Sequence, residues 1–215
     1  MPMLSPWPLY NQLADWTVDA DGVDENRENN CGPESVAMCL KYLTGVELPA
    51  DFIKDAIYGA SFTGYTFMGD LARFLKKRCD LTCEIRSGQE PTLQPVVKRA
   101  IDAGFPTIVL FFFELEKPDS GHFAPVVGYD EGGATRANPW GGKLEYMKWP
   151  DFETWQKSSN IIILNRQRPD NLGRGGLEAD PLIQGVEDLL DEAQPYVDRA
   201  LREAAETSER ARRQP

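Results

Sequence analysis

The stretch NNCGPESVAMC, residues 29–39, sets Cys31 directly before Gly-Pro at the opening of an apolar pattern. A cysteine at the first turn of a helix meets unpaired backbone N–H groups and the positive end of the helix dipole, and both favour a thiolate. A thiolate nucleophile needs a proton acceptor that later protonates the leaving group, and histidine suits that work near neutral pH. The chain has one, His122 in SGHFAPVVGYD. It opens a run of strand character and is expected to project from the strand end into open space. Asn138 stands in ANPWGG at the end of the next strand, where its side-chain carbonyl can hold the imidazole in one tautomer. A helix followed by two antiparallel strands can bring Cys, His and Asn together in this order. Their joint chemistry is nucleophilic attack by sulfur on a carbonyl. Singly, each has a blander reading: a packed thiol, a satisfied histidine, an ordinary Asn-Pro turn.

Those residues need elements to carry them. Pro33 suits a first helical turn, and Val36, Cys39, Leu40 and Leu43 recur at three- and four-residue steps before Gly45, which suits a C-terminal cap. The spacing predicts a helix buried along one side. Further helices are expected over Ala50–Tyr58 and Met68–Lys77, the second with Leu71, Phe74 and Leu75 inward. Between them lies GASFTGYTF, whose Phe62, Tyr65 and Phe67 either line a cleft beside Cys31 or cover the core. Strand character follows over Leu81–Arg86, a helix returns over Leu93–Ala103, and Thr107–Phe113 is a continuous apolar run. His122–Tyr129, Thr135–Asn138, Lys143–Met147 and Ile161–Leu164 are then set apart by Gly, Asp and Pro. Short turns make the later strands an antiparallel meander with the early helices on one side, so the class is α+β. Residues 1–30, rich in Pro, Asp and Asn, read as an irregular arm.

The domain is expected over 1–165. The segment NRQRPDNLGRGGLEAD loses apolar content and marks a linker over 166–180. Leu182, Val186, Leu189, Leu190, Ala193, Val197, Leu201 and Ala204 then keep helical spacing around Pro195, so 181–215 reads as an amphipathic helical tail. That tail docks on the domain, pairs with a second copy, or binds another protein through residues 181–213.

Composition narrows the function classes. With 215 residues, 41% of them apolar and 10% aromatic, the chain can fill a sizeable core. A net charge of −11 repels phosphate, which argues against nucleic-acid and anionic-membrane partners. The short basic runs at Lys76, Lys77, Arg78 and at Arg210, Arg212, Arg213 read as solvated helix ends. No apolar segment approaches the roughly 18 residues of a membrane span, and no charged leader precedes an apolar run, so a cytoplasmic chain without membrane contact is expected. Cys79 and Cys83 would form half a zinc site, but a single histidine and a Cys39 inside a helix pattern leave no second half. Reduced thiols, no metal and no organic cofactor are expected.

Cys-Gly-Pro opening an amphipathic helix, Gly-His-Phe opening a strand, then Gly-Tyr-Asp and Asn-Pro-Trp-Gly-Gly, spread over residues 9–164, resemble the papain-like cysteine peptidases of the C39-like branch, the bacteriocin-processing peptidases and their relatives. The resemblance implies a papain-like fold, a helical lobe packed on an antiparallel sheet, with Cys31 as nucleophile, His122 as general base and acid, and Asn138 as orienting residue. It also implies an oxyanion donor from a glutamine upstream of the cysteine, beside the cysteine's own N–H. Pro8-Leu9-Tyr10-Asn11-Gln12 supplies Gln12, further from Cys31 than the family pattern, which makes DWTVDADGVDENRENN an inserted loop. Asn29 or Asn30 are alternative donors. Asp130 in GYDEGG is an alternative orienting acid but reads better as a turn residue. Relatives cut after paired glycines, so Gly175-Gly176 raises trimming of the chain's own tail. The implied activity is a cysteine peptidase cleaving a peptide or amide bond of a peptide or protein substrate. The rival readings are a catalytically silent module acting through the tail and an acyltransferase with the same nucleophile.

Overall fold

Helix α1 (Cys31–Thr44) is buried everywhere except at Lys41, Tyr42 and Thr44, because α2 (Ala50–Tyr58), α3 (Met68–Arg78) and a central strand all pack against it. The expected one-sided burial is therefore corrected: the helix is enclosed. It ends at Gly45, whose φ of 80° belongs to the left-handed region and whose N–H bonds back to Lys41 O. The computed structural model describes residues 2–13, 27–59, 62–79, 81–87, 93–114, 121–166, 189 and 192–194.

Six strands form one antiparallel sheet: β1 (Leu81–Ser87), β2 (Thr107–Phe111), β3 (His122–Tyr129), β4 (Gly133–Asn138), β5 (Lys143–Lys148) and β6 (Gln156–Arg166), in the order β1-β6-β2-β3-β4-β5. Strands β3 to β5 follow the expected meander, with β2 on the other side of β3; the expectation that Ile161–Leu164 continues it beside β5 is corrected. Strand β6 returns across the sheet and inserts between β1 and β2, a pairing no neighbouring turn announces. Helix α4 (Gln94–Asp102) and the short α5 (Trp149–Trp155) also pack on the sheet. One apolar cluster joins α1–α3 to Ile108, Phe123 and Val127; the other joins α4 and α5 to Val109, Phe111, Ala124 and Val126. Helices thus lie on both faces, and this explains why β2 reads TIVLF without polar alternation.

The N-terminal arm is ordered against β3, where Leu4 N–H donates to Val127 O and Tyr129 N–H to Pro2 O. Of the expected tail, Leu189 and Ala193 are buried in the cluster under α1–α3, and Arg78 pairs with Glu192 at 2.7 Å. The remaining tail positions, the linker after Arg166 and Gly175-Gly176 lie outside the described residues. Among the described residues no helix is long and apolar enough to cross a membrane.

Candidate active site

Cys31 is the first residue of α1, and Gly32 explains how close that tip sits to the sheet. A Cβ on Gly32 would fall on Thr66 Oγ1, 2.9 Å from Leu71 Cδ1 and 3.2 Å from Phe123 Cδ2. Only glycine lets the helix tip reach β3 there. The backbone N–H groups of Phe123, Gly32 and Cys31 lie near enough to the Cys31 sulfur to favour its thiolate. Phe123 directly follows His122, and Cys31 and His122 line one cleft of about 190 Å³, with Glu28, Asn29, Tyr65, Phe113, Gly121 and Trp140. A larger cavity of about 690 Å³, walled by Trp7, Tyr42 and Phe105, holds neither residue.

His122 Nε2 lies 2.7 Å from Asn138 Oδ1, and that same oxygen accepts the Trp140 backbone N–H at 2.9 Å. Because a backbone N–H can only donate, the Asn138 atom is fixed as the carbonyl oxygen, and Nε2 must then carry the imidazole proton. Nδ1 is left as the basic nitrogen. Asn138 is held in turn by Glu145, which takes a hydrogen bond from its side chain and binds Arg136 Nε and Nη2 at 2.9 and 2.7 Å and Lys143 Nζ at 2.9 Å. Burial alone would raise the Glu145 pKa, yet the bonds from Lys143, Asn138 and Arg136 lower it. Glu145→Gln is expected to loosen Asn138 and cut kcat by about tenfold with KM little changed, measured by steady-state turnover.

The turn after Asn138 is built on Gly141 and Gly142, with φ of 88° and 59°, and it anchors the arm. Gln12 N–H donates to Pro139 O, and Asn11 Oδ1 accepts from Gly141 N–H. Gln12 is fully buried, and its Nε2 donates to the carbonyl of Glu28, a residue of the cleft. Asn29 lines the cleft with its amide donated to Thr63 O, whereas Asn30 is turned into the interior. Asp130 is a turn residue that accepts from Gly132 N–H, Gly133 N–H and Tyr146 Oη. Of the loop aromatics, Tyr65 lines the cleft, while Phe62 stacks on Tyr58 with ring centroids 4.2 Å apart.

Burial raises the Cys31 thiol pKa, opposed by the N–H groups of Phe123, Gly32 and Cys31 and by the charge of Lys54. Burial also lowers His122 to about 4, with Arg136 adding and the Asn138 bond and Glu145 opposing. Both shifts favour the neutral forms, thiol and imidazole. His122 is 4% exposed, so the expectation of a histidine projecting into open space is corrected. A second buried group sits one turn along α1: Glu34, whose carboxylate oxygens have no hydrogen-bond partner. Burial, then the charges of Asp51 and Glu47, push it from 4.5 up to about 8. Its folded-state proton contributes stability that is complete below 4.5 and lost as pH rises through about 8. The unfolding free energy should fall by about 1 kcal/mol on this account between about pH 7 and about pH 9. Urea titrations at the two pH values should show that loss in the wild type and not in Glu34→Gln.

Phe113, Trp140, Arg136 and Glu145 escaped the sequence reading. Phe113 meets the His122 ring edge-on at 5.5 Å and Trp140 at 5.2 Å. The Arg136–Glu145 pair was accessible in principle, because counting outward from the Asn138–Lys143 turn in the β4–β5 hairpin sets these two opposite each other.

The family model described as Peptidase_C39 like family matches residues 5–162. No curated protein matches the sequence. Among solved structures, a Bacillus anthracis protein assigned as a C39-like peptidase is 18% identical, with a TM-score of 0.56 over 77% of this chain and 98% of that one. The peptidase domain of Streptococcus ComA, a bi-functional ABC transporter involved in a quorum sensing pathway, is 17% identical, with a TM-score of 0.52 over 73% of this chain and 97% of that one. The fold is accordingly papain-like, as the sequence resemblance implied.

Proposed function

Because the chain belongs to the Peptidase_C39 like family, we propose that it is a cysteine peptidase that hydrolyses a peptide or amide bond of a peptide or protein substrate through Cys31, His122 and Asn138. In this reading His122 Nδ1 takes the thiol proton as the sulfur attacks the carbonyl carbon. The oxyanion is met by the Cys31 N–H and by the amide of Gln12, whose Nε2 reaches the carbonyl of Glu28, a residue of the cleft. The imidazolium returns its proton to the departing amine. His122 then deprotonates a water that attacks the thioester, which releases the acid and restores the thiol. No step calls on a metal or organic cofactor. Four free cysteines suit a reducing, cytoplasmic setting.

The observation that carries this function is one cleft shared by Cys31 and His122, with the His122–Asn138 contact assigning the proton to Nε2. A cleft of about 190 Å³ walled by Tyr65, Phe113 and Trp140 favours small residues beside the scissile bond. The test is a peptide-library digest read by mass spectrometry for new termini. Termini made by the wild type and absent with Cys31→Ala support the reading. Identical termini from both, or none from either, overturn it, and acyl products joined to an added amine would assign acyl transfer.

A further inference from the structure

Behind the nucleophile lies a buried polar set that the reaction above does not use. Asn30 occupies the N-cap of α1, where an asparagine side chain ordinarily bonds a first-turn N–H, yet it makes no such bond. Its amide is turned the other way. Nδ2 donates to Asp51 Oδ1 at 2.6 Å, and Oδ1 accepts from Lys54 Nζ at 3.2 Å. Asn30 is 0% exposed, Asp51 and Lys54 2% each. An ammonium and a carboxylate thus face one amide in a region where charge is weakly screened. Such a buried pair adds little stability over apolar residues of the same volume, so its presence calls for another account.

We propose that Lys54 is a positioning residue for Cys31: it holds Asn30 away from the helix cap, leaving the first-turn N–H groups to the sulfur, and sets a fixed positive charge behind it. The inference rests on Cys31 being the nucleophile proposed above. During turnover the site carries first a thiolate and then an oxyanion, while its proton carrier His122 cycles between charged and neutral. A cation at that place opposes the negative charge at each stage. Lys54 already acts on the Cys31 thiol against the effect of burial. Among the ionisable neighbours, Glu34 on α1 feels Asp51 and is held protonated up to about 8, and it is coupled in turn to Glu47 before α2 and to Tyr10 of the arm. With Glu34 neutral at pH 7, Asp51 is the buried counter-charge to Lys54.

The two charges make opposite predictions, which a merely structural role does not. Full-length wild type, Lys54→Met and Asp51→Asn are labelled with limiting iodoacetamide from about pH 5 to about pH 11, and Cys31 modification is followed by peptide mapping. The pH midpoint should rise in Lys54→Met and fall in Asp51→Asn, by about half a unit or more each. Asn at 51 still accepts the Asn30 bond while the charge is lost. Midpoints that move together, or not at all, overturn the proposal. If Lys54→Met does not fold, Lys54→Arg replaces it: a near-wild-type midpoint there, with the fall in Asp51→Asn, supports the role, and any other pairing overturns it. Labelling reads the sulfur without turnover. Opposite shifts in a protein that cleaves no peptide would sink the peptidase reading alone, and cleavage without shifts would sink this one alone.

Discussion

The His122→Ala variant should lose at least about 10³-fold in kcat/KM on any peptide the wild type cleaves, with the loss in kcat. The chain has no second histidine to take its place. Removing the imidazole leaves a buried thiol whose pKa is raised and which no longer has a base beside it. The double variant Cys31→Ala/His122→Ala should be no slower than either single one, because the two groups act as a unit. Asn138→Ala should cost less, about 10- to 100-fold, since the base survives but loses the 2.7 Å contact that fixes its tautomer. In the wild type, kcat/KM should hold from neutrality downward and fail as His122 gains a proton near pH 4, below the ordinary histidine range. Losses that add across the double variant would contradict a joint role.

Gly32→Ala should destabilise the fold by about 1–3 kcal/mol, the usual cost of overpacking. Intrinsic helix preference alone points the other way, favouring alanine by about 1 kcal/mol. Packing decides the sign, because the added methyl meets Thr66, Leu71 and Phe123 together. Besides displacing the Thr66 and Leu71 side chains, the methyl presses α1 away from Phe123 of β3, the strand that carries His122. Turnover should therefore fall by more than the loss of folded protein explains. Urea midpoints and kcat/KM measured where the variant is fully folded check both halves, and a wild-type midpoint with wild-type turnover would contradict them.

The elements with local signals were legible in the sequence. Pro33 and Gly45 bracket α1, Ala50–Tyr58 and Met68 onward are helices as spaced, and the β3–β5 meander follows from short turns. Strand β6 was recognised only at its apolar middle, because its place between β1 and β2 is a long-range pairing. Helix α5, WPDFETW, has seven residues, too few for a helical period to declare itself. The residue types of the site were legible, but their protonation was not. The tautomer of His122 depends on the Trp140 N–H, and the resting thiol on enclosure by elements distant in sequence. Asn30 is the sharpest case: its type and position suggest a helix cap, and only the burial of Asp51 and Lys54 shows where its amide goes.

The most direct measurement is the site of thiol labelling at pH 6 under limiting iodoacetamide. Cys39, Cys79 and Cys83 are packed in the core, at 0%, 0% and 4% exposure, whereas Cys31 lines the cleft beside His122. The label should go to Cys31 alone, and His122→Ala should slow it about tenfold or more. Slow, even labelling of all four thiols, or Cys31 labelling indifferent to His122, would mean that the sulfur and the imidazole do not work together.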